Sequence, residues 1–550
     1  MIDKPYIDEL SDFALVWQKL EQCDTRGIHI HDDDTGKLSY QSYATLVQQA
    51  GELAAYLASQ GFKAGDKVLL SAKTTPEFPV LWLALIWMGV TPVPLPPREM
   101  LVGKNTFKER LKGILKHFPY YICLENEVND VRYAAKEQEA NLTIITFSEL
   151  LNRSNNNSVP TRAAIPNDTL AFIQFTSGST SHPKGIMITY SNLYANIFAM
   201  WSRLSIDPSQ EKILSWLPLY HDMGLVGKFL GALLTQTTLI LTSSQYFARR
   251  PLHFMNLINQ HQTQLCSMPN FGLEWILKRL ATSKKPACSL ASMKWIGVGA
   301  EPVNVKTLQS FEKAFAPFGL RPGVLSPCYG LAEATLAVSA SPALAGYKVH
   351  TLDSYALPTL GFPLCNIQVK IDSDGDQSES GVIKIKGPSV ARSAMINGQV
   401  KLLVDEDGYY NTGDIGAIAN NQLQVLGRID EMFILNGVNH FPYDIEATIR
   451  TIDGILRNRV ACFQISDMSC RNSESGVIIL FESKPLTDSE YTNLTIQIER
   501  RVLACSGFRP SAIVAVPPKS IPATPSGKLK RLSARRLYKE GYYSQETQLA

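Results

Sequence analysis

Residues 175–185 constrain the fold of this chain more than any other stretch, because they place small hydroxylic side chains directly after a buried strand. The preceding apolar run, residues 170–175, predicts that strand. Backbone N–H groups and hydroxyls in such a turn can bind a phosphate, and Lys184 adds a mobile positive charge. Gly185 would let the chain turn into the next strand without a Cβ clash. Because Pro183 stands where the loop of nucleoside triphosphatases requires glycine, we expect a phosphate-binding loop of another kind.

Composition and charge narrow the class of protein. With 550 residues, 45% of them hydrophobic and 19% charged, the chain has the make-up of a globular protein with more than one domain. A net charge of +3 does not favour nucleic-acid binding, and nine cysteines without a Cys-x-x-Cys pair fit reduced thiols. Acidic residues precede the first apolar run, and prolines interrupt the least charged segment, residues 78–97. We therefore expect a cytoplasmic protein with no signal peptide and no membrane span.

Hydrophobic periodicity predicts alternating helices and strands through the first part of the chain. Residues 43–57 have helical spacing and are followed by Gly61, and residues 67–71 predict a short strand. A second helix is expected at residues 81–88, and a helix with Ser191 as its N-cap follows the phosphate loop. Further strands are expected near residue 93 and at residues 121–123, 142–145, 238–242, 265–268 and 295–298. This alternation favours a mostly parallel sheet with helices on both faces.

From about residue 347 the pattern changes to short segments of period two. Residues 367–371 and 382–386 are separated by Asp and Gly turns, which is typical of a β-rich subdomain. The last part predicts a small α+β unit, with a helix at residues 443–449, strands near 460–465 and 476–481, and a long helix at 489–505. We therefore predict a large N-terminal domain at residues 1–429, its β-rich subdomain at about 347–429, and a small C-terminal domain at residues 430–550. The composition of residues 152–167 predicts a linker.

Seven further motifs follow one another along the chain. They are Trp-Leu-Pro-Leu-Tyr-His-Asp-Met-Gly-Leu (216–225), Gly-Ala-Glu-Pro (299–302), Tyr-Gly-Leu-Ala-Glu-Ala-Thr-Leu (329–336), Tyr-Asn-Thr-Gly-Asp (410–414), Leu-Gly-Arg-Ile-Asp (426–430), Asn-His-Phe-Pro-Tyr-Asp-Ile-Glu (439–446) and Pro-Ala-Thr-Pro-Ser-Gly-Lys-Leu-Lys-Arg (522–531). In this order they resemble the adenylate-forming superfamily of acyl-CoA synthetases, peptide-synthetase adenylation domains and luciferases. The resemblance covers nearly the whole chain and is greatest to fatty acyl-AMP ligases.

The resemblance implies both a fold and an activity. The fold is α/β, with two doubly wound α/β subdomains and a small β-rich subdomain in the large domain, followed by a small mobile α+β domain. The activity is ATP-dependent conversion of a medium- or long-chain fatty acid to acyl-AMP with release of pyrophosphate. The acyl group then passes to the phosphopantetheine thiol of an acyl carrier protein. The implied cofactors are ATP and Mg²⁺.

The resemblance also assigns nucleotide-binding residues. Tyr329 offers a flat face that can stack on adenine, Asp414 can accept hydrogen bonds from the ribose hydroxyls, and Arg428 can reach the ribose or the α-phosphate. The full expected set is Thr176, Ser177, Gly178, Ser179, Thr180, Lys184, Gly299, Ala300, Glu301, Tyr329, Gly330, Leu331, Asp414 and Arg428.

Three residues are expected to act in catalysis. His221 would orient the substrate carboxylate, and Glu333 would hold Mg²⁺ together with the substrate phosphates. Lys528 would offset the repulsion between the acyl carboxylate and the α-phosphate as charge moves in the transition state. Asp430 matches the hinge about which the small domain of the family swings.

The sequence departs from fatty acyl-AMP ligases at four places, which leaves the thiol acceptor open. Residues 337–360 are short for the insertion that is credited with blocking CoA use, and Asp430 stands where we would expect lysine. In addition, residues 361–363 are Gly-Phe-Pro instead of Gly-Arg-Pro, and residues 391–400 lack the usual Gly-Tyr-aromatic pattern. The alternative is therefore an acyl-CoA synthetase that uses free CoA. An amino-acid adenylation domain is less well supported, since we would expect an acidic residue for the substrate ammonium in place of Tyr220 and His221. A non-catalytic acyl or nucleotide binder would not need to keep Lys184, Glu333, Asp414 and Lys528, all of which are present.

Overall fold

The computed structural model describes residues 12–31, 37–100, 106–152, 158–176, 183–282, 288–352, 355–373, 380–435, 438–465, 476–524 and 528–544. The elements up to residue 151 are α1 (Phe13–Glu21), β1 (Gly27–His31), β2 (Leu38–Ser42), α2 (Tyr43–Ser59), β3 (Lys67–Ser71), α3 (Glu77–Trp87), β4 (Thr91–Leu95), α4 (Thr106–Leu111), β5 (Tyr120–Cys123), α5 (Val128–Glu137), β6 (Thr143–Thr146) and α6 (Phe147–Leu151).

The middle of the chain continues the alternation. Its elements are β7 (Leu170–Thr176), β8 (Lys184–Thr189), α7 (Tyr190–Leu204), β9 (Lys212–Ser215), α8 (Asp222–Gly224), α9 (Gly231–Thr235), β10 (Thr238–Leu241), α10 (Ser244–Arg249), α11 (Pro251–His261), β11 (Leu265–Met268), α12 (Asn270–Thr282), β12 (Trp295–Val298), α13 (Val305–Phe315), β13 (Leu325–Pro327), β14 (Tyr329–Gly330) and β15 (Ala337–Ala340). A π-helical turn, Leu225–Leu230, joins α8 to α9.

The last part is richer in strands. Its elements are β16 (Val349–Leu352), β17 (Tyr355–Pro358), β18 (Phe362–Pro363), β19 (Gln368–Asp372), β20 (Gly381–Lys386), β21 (Ser393–Ile396), β22 (Gln399–Leu402), β23 (Tyr410–Ala419), β24 (Gln422–Arg428), β25 (Phe433–Leu435), β26 (Val438–His440), α14 (Pro442–Ile449), β27 (Ile455–Ile465), β28 (Gly476–Ser483), α15 (Asp488–Ser506), β29 (Ala512–Val516) and α16 (Arg531–Lys539).

The largest sheet has the strand order β13-β12-β11-β9-β10-β1-β2, and its strands pair in parallel except for the antiparallel pair β1–β2. Successive residues of its strands enter two different hydrophobic cores. In β10, for example, Leu239 and Leu241 belong to the core with helices α2, α3 and α7, whereas Ile240 belongs to the core with α11, α12 and α13. Both faces are therefore covered by helices, which confirms the expected α/β class.

Two smaller sheets complete this part of the fold. The order β4-β3-β5-β6 is parallel, with Leu69 of β3 paired to Val93 on one side and to Tyr121 on the other. The order β22-β21-β8-β7 is antiparallel, and its β7–β8 pair carries the predicted phosphate loop. Thr176 at the end of β7 pairs with Lys184 at the start of β8, so the loop closes a β-hairpin.

Three local expectations were wrong. Helix α3 begins at Glu77 rather than near residue 81, because Pro79 is tolerated within the first turn of a helix. The N-cap of α7 is Thr189, whose hydroxyl accepts the N–H of Asn192, rather than Ser191. Gly185 already lies within β8, where a Cβ would be 2.9 Å from Ile173 Cγ2, so close packing and not a turn requires glycine there.

The chain divides into two compact units. The first comprises residues 1–370, 384–411 and 418–424, and the second comprises residues 371–383, 412–417 and 425–550. Within the second unit, β27, β28 and β29 form a three-stranded sheet, and α14 and α15 pack on it around a core that includes Ile445 and Ile498. The predicted boundary between residues 429 and 430 stays a prediction. None of the helices in the described ranges has the length and apolar character needed to cross a membrane.

Candidate active site

A lysine, a glutamate and a tyrosine from three separate segments of the first unit meet at the start of β8. The Nζ atom of Lys184 lies 2.8 Å from Glu333 Oε1 and 3.3 Å from the hydroxyl of Tyr410. The Tyr410 hydroxyl donates to the same Glu333 oxygen at 2.9 Å. The structure therefore brings together two predicted site residues, Lys184 and Glu333, and adds Tyr410, for which the sequence predicted no role.

The loop that carries Glu333 is fixed by buried hydrogen bonds. The side chain of Asn196, on α7, donates to the carbonyls of Ala334 and Ala337 and accepts the N–H of Ala337. Thr335 has a positive φ of 68° and donates its hydroxyl to the carbonyl of Ser389. A non-glycine residue is rarely found in this conformation, so these contacts hold the loop in a strained form.

The two segments that are expected to bind the nucleotide, around residues 299 and 329, lie at the end of β12 and just after β13. A Cβ at Gly299 would be 2.9 Å from the carbonyl oxygen of Cys328, and one at Gly330 would be 2.0 Å from the carbonyl oxygen of Leu336. Glycine is therefore the residue that fits at both positions. Tyr329 pairs with Ser339 in the short β14–β15 ladder, which holds its backbone in place.

The remaining expected residues of this part have the following contacts. Ala300 has a positive φ of 68°, and a side-chain oxygen of Glu301 accepts the N–H of Phe271 in the first turn of α12. The Thr176 hydroxyl lies 3.4 Å from the carbonyl of Lys184, and the N–H of Leu331 donates to Leu336. The predicted loop residues Ser177, Gly178, Ser179 and Thr180 lie outside the described residues.

His221 stands immediately before α8. Its Nδ1 atom lies 2.7 Å from Asp222 Oδ1, and the N–H of Met223 donates to the same carboxylate at 2.6 Å. The N–H of Met223 also lies 3.4 Å from His221 Nδ1, so the carboxylate and the backbone together fix the orientation of the imidazole. The imidazole is about one-third exposed, so it is open to a ligand as well as held. Asp222 is a second residue whose contribution the sequence did not predict.

Three of the expected residues of the second unit form a charged cluster of their own. Arg428 donates through Nε to Asp430 Oδ1 at 3.0 Å, and its Nη1 lies 3.7 Å from Asp414 Oδ1. Burial lowers the pKa of Arg428, but the hydrogen bond to Asp430 and the two carboxylate charges outweigh it, so the pKa is raised overall. A Cβ at Gly413 would lie 3.2 Å from the same guanidinium, and Gly413 has a φ of +71°. The arrangement leaves Asp414 nearly buried beside a fixed cation.

Lys528 has an exposed side chain on a fixed backbone. Its N–H donates to Thr524 Oγ1 at 3.0 Å, and its carbonyl accepts the N–H of Thr524 at 2.7 Å. The following residue, Leu529, is buried and forms a bridge with Ala523. The charge of Lys528 is therefore free to extend from an anchored turn, which suits a residue that must reach a substrate.

The first unit is thus an α/β fold with a lysine–carboxylate pair at the start of β8, and the second unit carries an exposed lysine, Lys528. Comparison with known proteins gives the family. The family described as AMP-binding enzyme matches residues 21–393, and the Disco-interacting protein 2-like AMP domain matches residues 430–548. The chain belongs to the AMP-binding enzyme family, and the expected adenylate-forming fold is confirmed.

Individual relatives agree with this assignment. The 4-hydroxyphenylalkanoate adenylyltransferase of Mycobacterium tuberculosis is 30% identical over 522 residues, which are 86% of this chain and 82% of that protein. The long-chain-fatty-acid–AMP ligase FadD26 of Mycobacterium marinum is 29% identical over 549 residues, 91% of each chain. A solved structure from work on the fatty acyl-adenylate ligases of E. coli and L. pneumophila has a TM-score of 0.86 and 27% identity, and covers 98% of this chain and all of that one. The resemblance to fatty acyl-AMP ligases is thereby confirmed, as is the expectation of an acid-adenylating ligase.

Proposed function

We propose that this enzyme uses Mg-ATP to activate an acid with a medium or long acyl chain, and then transfers the acyl group to the phosphopantetheine thiol of a carrier protein. The observation that carries the first step is the contact among Lys184, Glu333 and Tyr410 at the mouth of the phosphate-loop hairpin. A cation and a carboxylate within 2.8 Å of each other are the pair of charges that a magnesium–triphosphate complex requires. The site residues keep the roles expected from the sequence, as proposals.

Glu333 fits the binding mode of magnesium. Among the described residues, no three His, Cys, Asp or Glu side chains are grouped so that they could hold a metal ion by themselves. Mg²⁺ is usually bound through one or two carboxylates together with substrate phosphates, and Glu333 offers such a carboxylate next to a phosphate loop. Bound there, the ion would neutralise phosphate charge. Lys184 would then turn to a phosphate oxygen, and Tyr410 would keep Glu333 in position.

The other residues position the two substrates. Tyr329 would stack on adenine, and Asp414 with Arg428 would bind the ribose and the α-phosphate. His221, oriented by Asp222, would hold the acid so that its carboxylate oxygen can attack the α-phosphate. We place the reaction in the cytoplasm, in keeping with the composition described above.

The adenylation step is tested by ATP–pyrophosphate exchange. We expect exchange to depend on an added aliphatic acid and on Mg²⁺, and to fall at least tenfold in Glu333→Gln, which keeps the shape of the side chain but weakens the metal site. Glu312→Gln serves as the control, since Glu312 lies on α13 outside the motifs and its carboxylate is bonded by the Tyr347 hydroxyl. Exchange with amino acids alone, or with no acid at all, would contradict the proposal.

The thiol acceptor is tested by supplying the acyl-AMP enzyme separately with CoA and with a holo carrier protein. We expect transfer to the carrier protein to be the faster reaction, because a protein partner adds contact surface that a small thiol lacks. Residues 337–352 and 355–360 include β15, β16 and β17, and the short form of this segment favours some acyl-CoA as well. Mass spectrometry of both thioesters shows which of the two transfer reactions is faster. Efficient acyl-CoA formation without transfer to any carrier would identify an acyl-CoA synthetase instead.

A further inference from the structure

A lysine lies inside the first unit, and none of the described residues pairs with its charge. Lys228 is part of the π-helical turn Leu225–Leu230, every residue of which is buried, and Lys228 itself is 4% exposed. In the part of the chain that the structure describes, its ammonium group forms no ion pair and no hydrogen bond. The group that it contacts is the ring of Trp295, whose centroid lies 5.3 Å from Nζ. A cation–π contact offsets only part of the cost of burying an ammonium group.

The ionisable neighbours of Lys228 do not neutralise it. They are two thiols, Cys266 and Cys328, and burial raises their pKa values to about 12 and about 11, so both are uncharged at neutral pH. Burial also lowers the pKa of Lys228, to about 8. The ammonium form still outnumbers the neutral amine roughly tenfold at pH 7. Lys228 is thus a buried cation with no anion beside it among the residues that the structure describes.

Other buried charged side chains form ion pairs. Arg531 is bound by Glu446 and Glu431, and the nearly buried Glu211 is paired with Lys294 at 2.6 Å. Buried charges are usually paired in this way, because an uncompensated one is destabilising by several kcal/mol. Lys228 has no such partner among the described residues, which points to a ligand.

The position of Lys228 connects it to the proposed acid site. The turn begins where the N–H of Leu225 donates to the carbonyl of His221, and Lys228 follows His221, the N-cap of α8, by seven residues. At Gly227, a Cβ would lie 2.7 Å from Leu336 Cδ2, so the turn packs against the loop that carries Glu333. Cys328, which interacts with the Lys228 charge, directly precedes Tyr329.

The sheet beside Lys228 carries small residues under one aromatic ring. Gly297 of β12 pairs with Ser267 of β11 and Ser326 of β13, and side chains of paired residues point to the same face. A Cβ at Gly297 would lie 2.1 Å from Trp295 Cη2, so the Trp295 ring lies over this position. The Lys228 ammonium therefore lies against the ring that covers this face of the sheet.

We propose that Lys228 binds a second carboxylate of the acid substrate, at the opposite end from the carboxyl group that is adenylated. The substrate class would then be acyl chains that end in a carboxylate, as in α,ω-dicarboxylic acids. This inference rests on the proposed function, since it concerns the same acid site. The anion would neutralise Lys228 in the complex, and a terminal methyl group would leave the cation uncompensated. A site built around a polar group of its substrate discriminates strongly against the analogue that lacks it.

The test compares acids of equal length in ATP–pyrophosphate exchange: adipic, suberic and sebacic acids against hexanoic, octanoic and decanoic acids. We expect kcat/KM of the wild type to favour the diacids by at least about tenfold. Lys228→Met, which keeps the length of the side chain without its charge, should reverse the preference by losing activity with diacids and gaining it with monoacids. Lys228→Arg should retain the preference for diacids. Lys401→Met, an exposed lysine of β22, is the matched control and should change neither series.

Two further measurements separate binding from a general structural role. For diacids, kcat/KM of the wild type should fall as the pH rises through about 8, because Lys228 loses its proton, whereas that for monoacids should not. Lys228→Met should unfold at the same urea concentration as the wild type or at a higher one, since it removes an unpaired buried charge.

The outcomes distinguish this inference from the proposed function. Equal use of diacids and monoacids by the wild type, or an equal loss of both in Lys228→Met, would overturn the role of Lys228 while leaving adenylation intact. Absence of exchange with every acid would instead overturn the proposed function. In that case calorimetry with sebacic acid decides about Lys228: binding by the wild type and not by Lys228→Met supports the site, and equal or absent binding overturns it.

Discussion

Replacing Lys528 with alanine is expected to slow acyl-AMP formation by about two to three decades while ATP still binds. The lysine is proposed to act on charge that develops as the carboxylate attacks the α-phosphate, so its loss should appear in kcat rather than in ground-state binding. A single well-placed charge of this kind stabilises a transition state by roughly 3–4 kcal/mol. We expect the substitution to leave the local structure intact, because the Lys528 side chain is exposed and the hydrogen bonds that hold this residue are made by its backbone.

Single-turnover formation of acyl-AMP, with ATP affinity measured by calorimetry, checks this expectation. Lys530→Ala is the matched control, because Lys530 lies two residues further along the same segment and also donates its backbone N–H, to the carbonyl of Pro522. We expect Lys530→Ala to stay within a few-fold of the wild type. If Lys528→Ala did the same, another residue would have to carry the charge, and Lys184 would be the first to examine.

Hydrophobic periodicity predicted the elements of the fold well, because the period of a strand or a helix is visible in a short run of side chains. Residues 67–71 became β3 and residues 489–505 became most of α15, which begins at Asp488 after the capping box of Thr487 and Glu490. The boundaries were less certain where two residues competed for one role. Ser191 and Thr189 are both good N-caps, and the hydrogen bond between Thr189 and Asn192 decided between them.

The candidate site could be predicted only as a set of motifs. Lys184 and Glu333 are separated by 149 residues, and their contact depends on the pairing of β7 with β8 and on the loop that Asn196 fixes. Periodicity carries no information about such contacts, and Asn196 looked like an ordinary polar residue of an amphipathic helix. Tyr410 was visible as the first residue of the Tyr-Asn-Thr-Gly-Asp motif, but its hydrogen bond to Glu333 was not.

Lys228 illustrates the opposite case, a residue whose signal was present in the sequence. Lys228 interrupts the apolar run of residues 225–234. A run of this kind predicts a buried helix, and charged side chains are rarely buried. A lysine can also reach solvent with its long stem, so the run alone could not show that the ammonium stays inside. The close approach of Gly227 to Leu336 is what ties this turn to the proposed acid site.

Replacing Glu446 with alanine is expected to lower the free energy of unfolding of the second unit by about 3–5 kcal/mol. Glu446 is fully buried on α14 and accepts two hydrogen bonds from Arg531, at 2.8 Å each, together with one from Arg450 and one from the N–H of Cys462. Removing the carboxylate leaves the Arg531 guanidinium buried with Glu431 as its remaining partner. An uncompensated buried charge is far more destabilising than the loss of an exposed pair.

Hydrogen exchange of the full chain measures the loss of stability of the second unit through the protection of the buried amides of β28. Glu540→Ala is the control, since Glu540 pairs with Arg536 at 3.8 Å while both side chains are more than half exposed, and it should cost less than about 1 kcal/mol. Equal loss of protection in the two variants would contradict the expectation.

Arg531 lies three residues after Lys528, and its partner Glu431 follows the predicted hinge residue Asp430. The ion pair between Arg531 and Glu431 therefore also connects the segment of Lys528, the proposed catalytic lysine, to the predicted hinge residue. We expect Glu446→Ala to lower kcat for adenylation as well as stability.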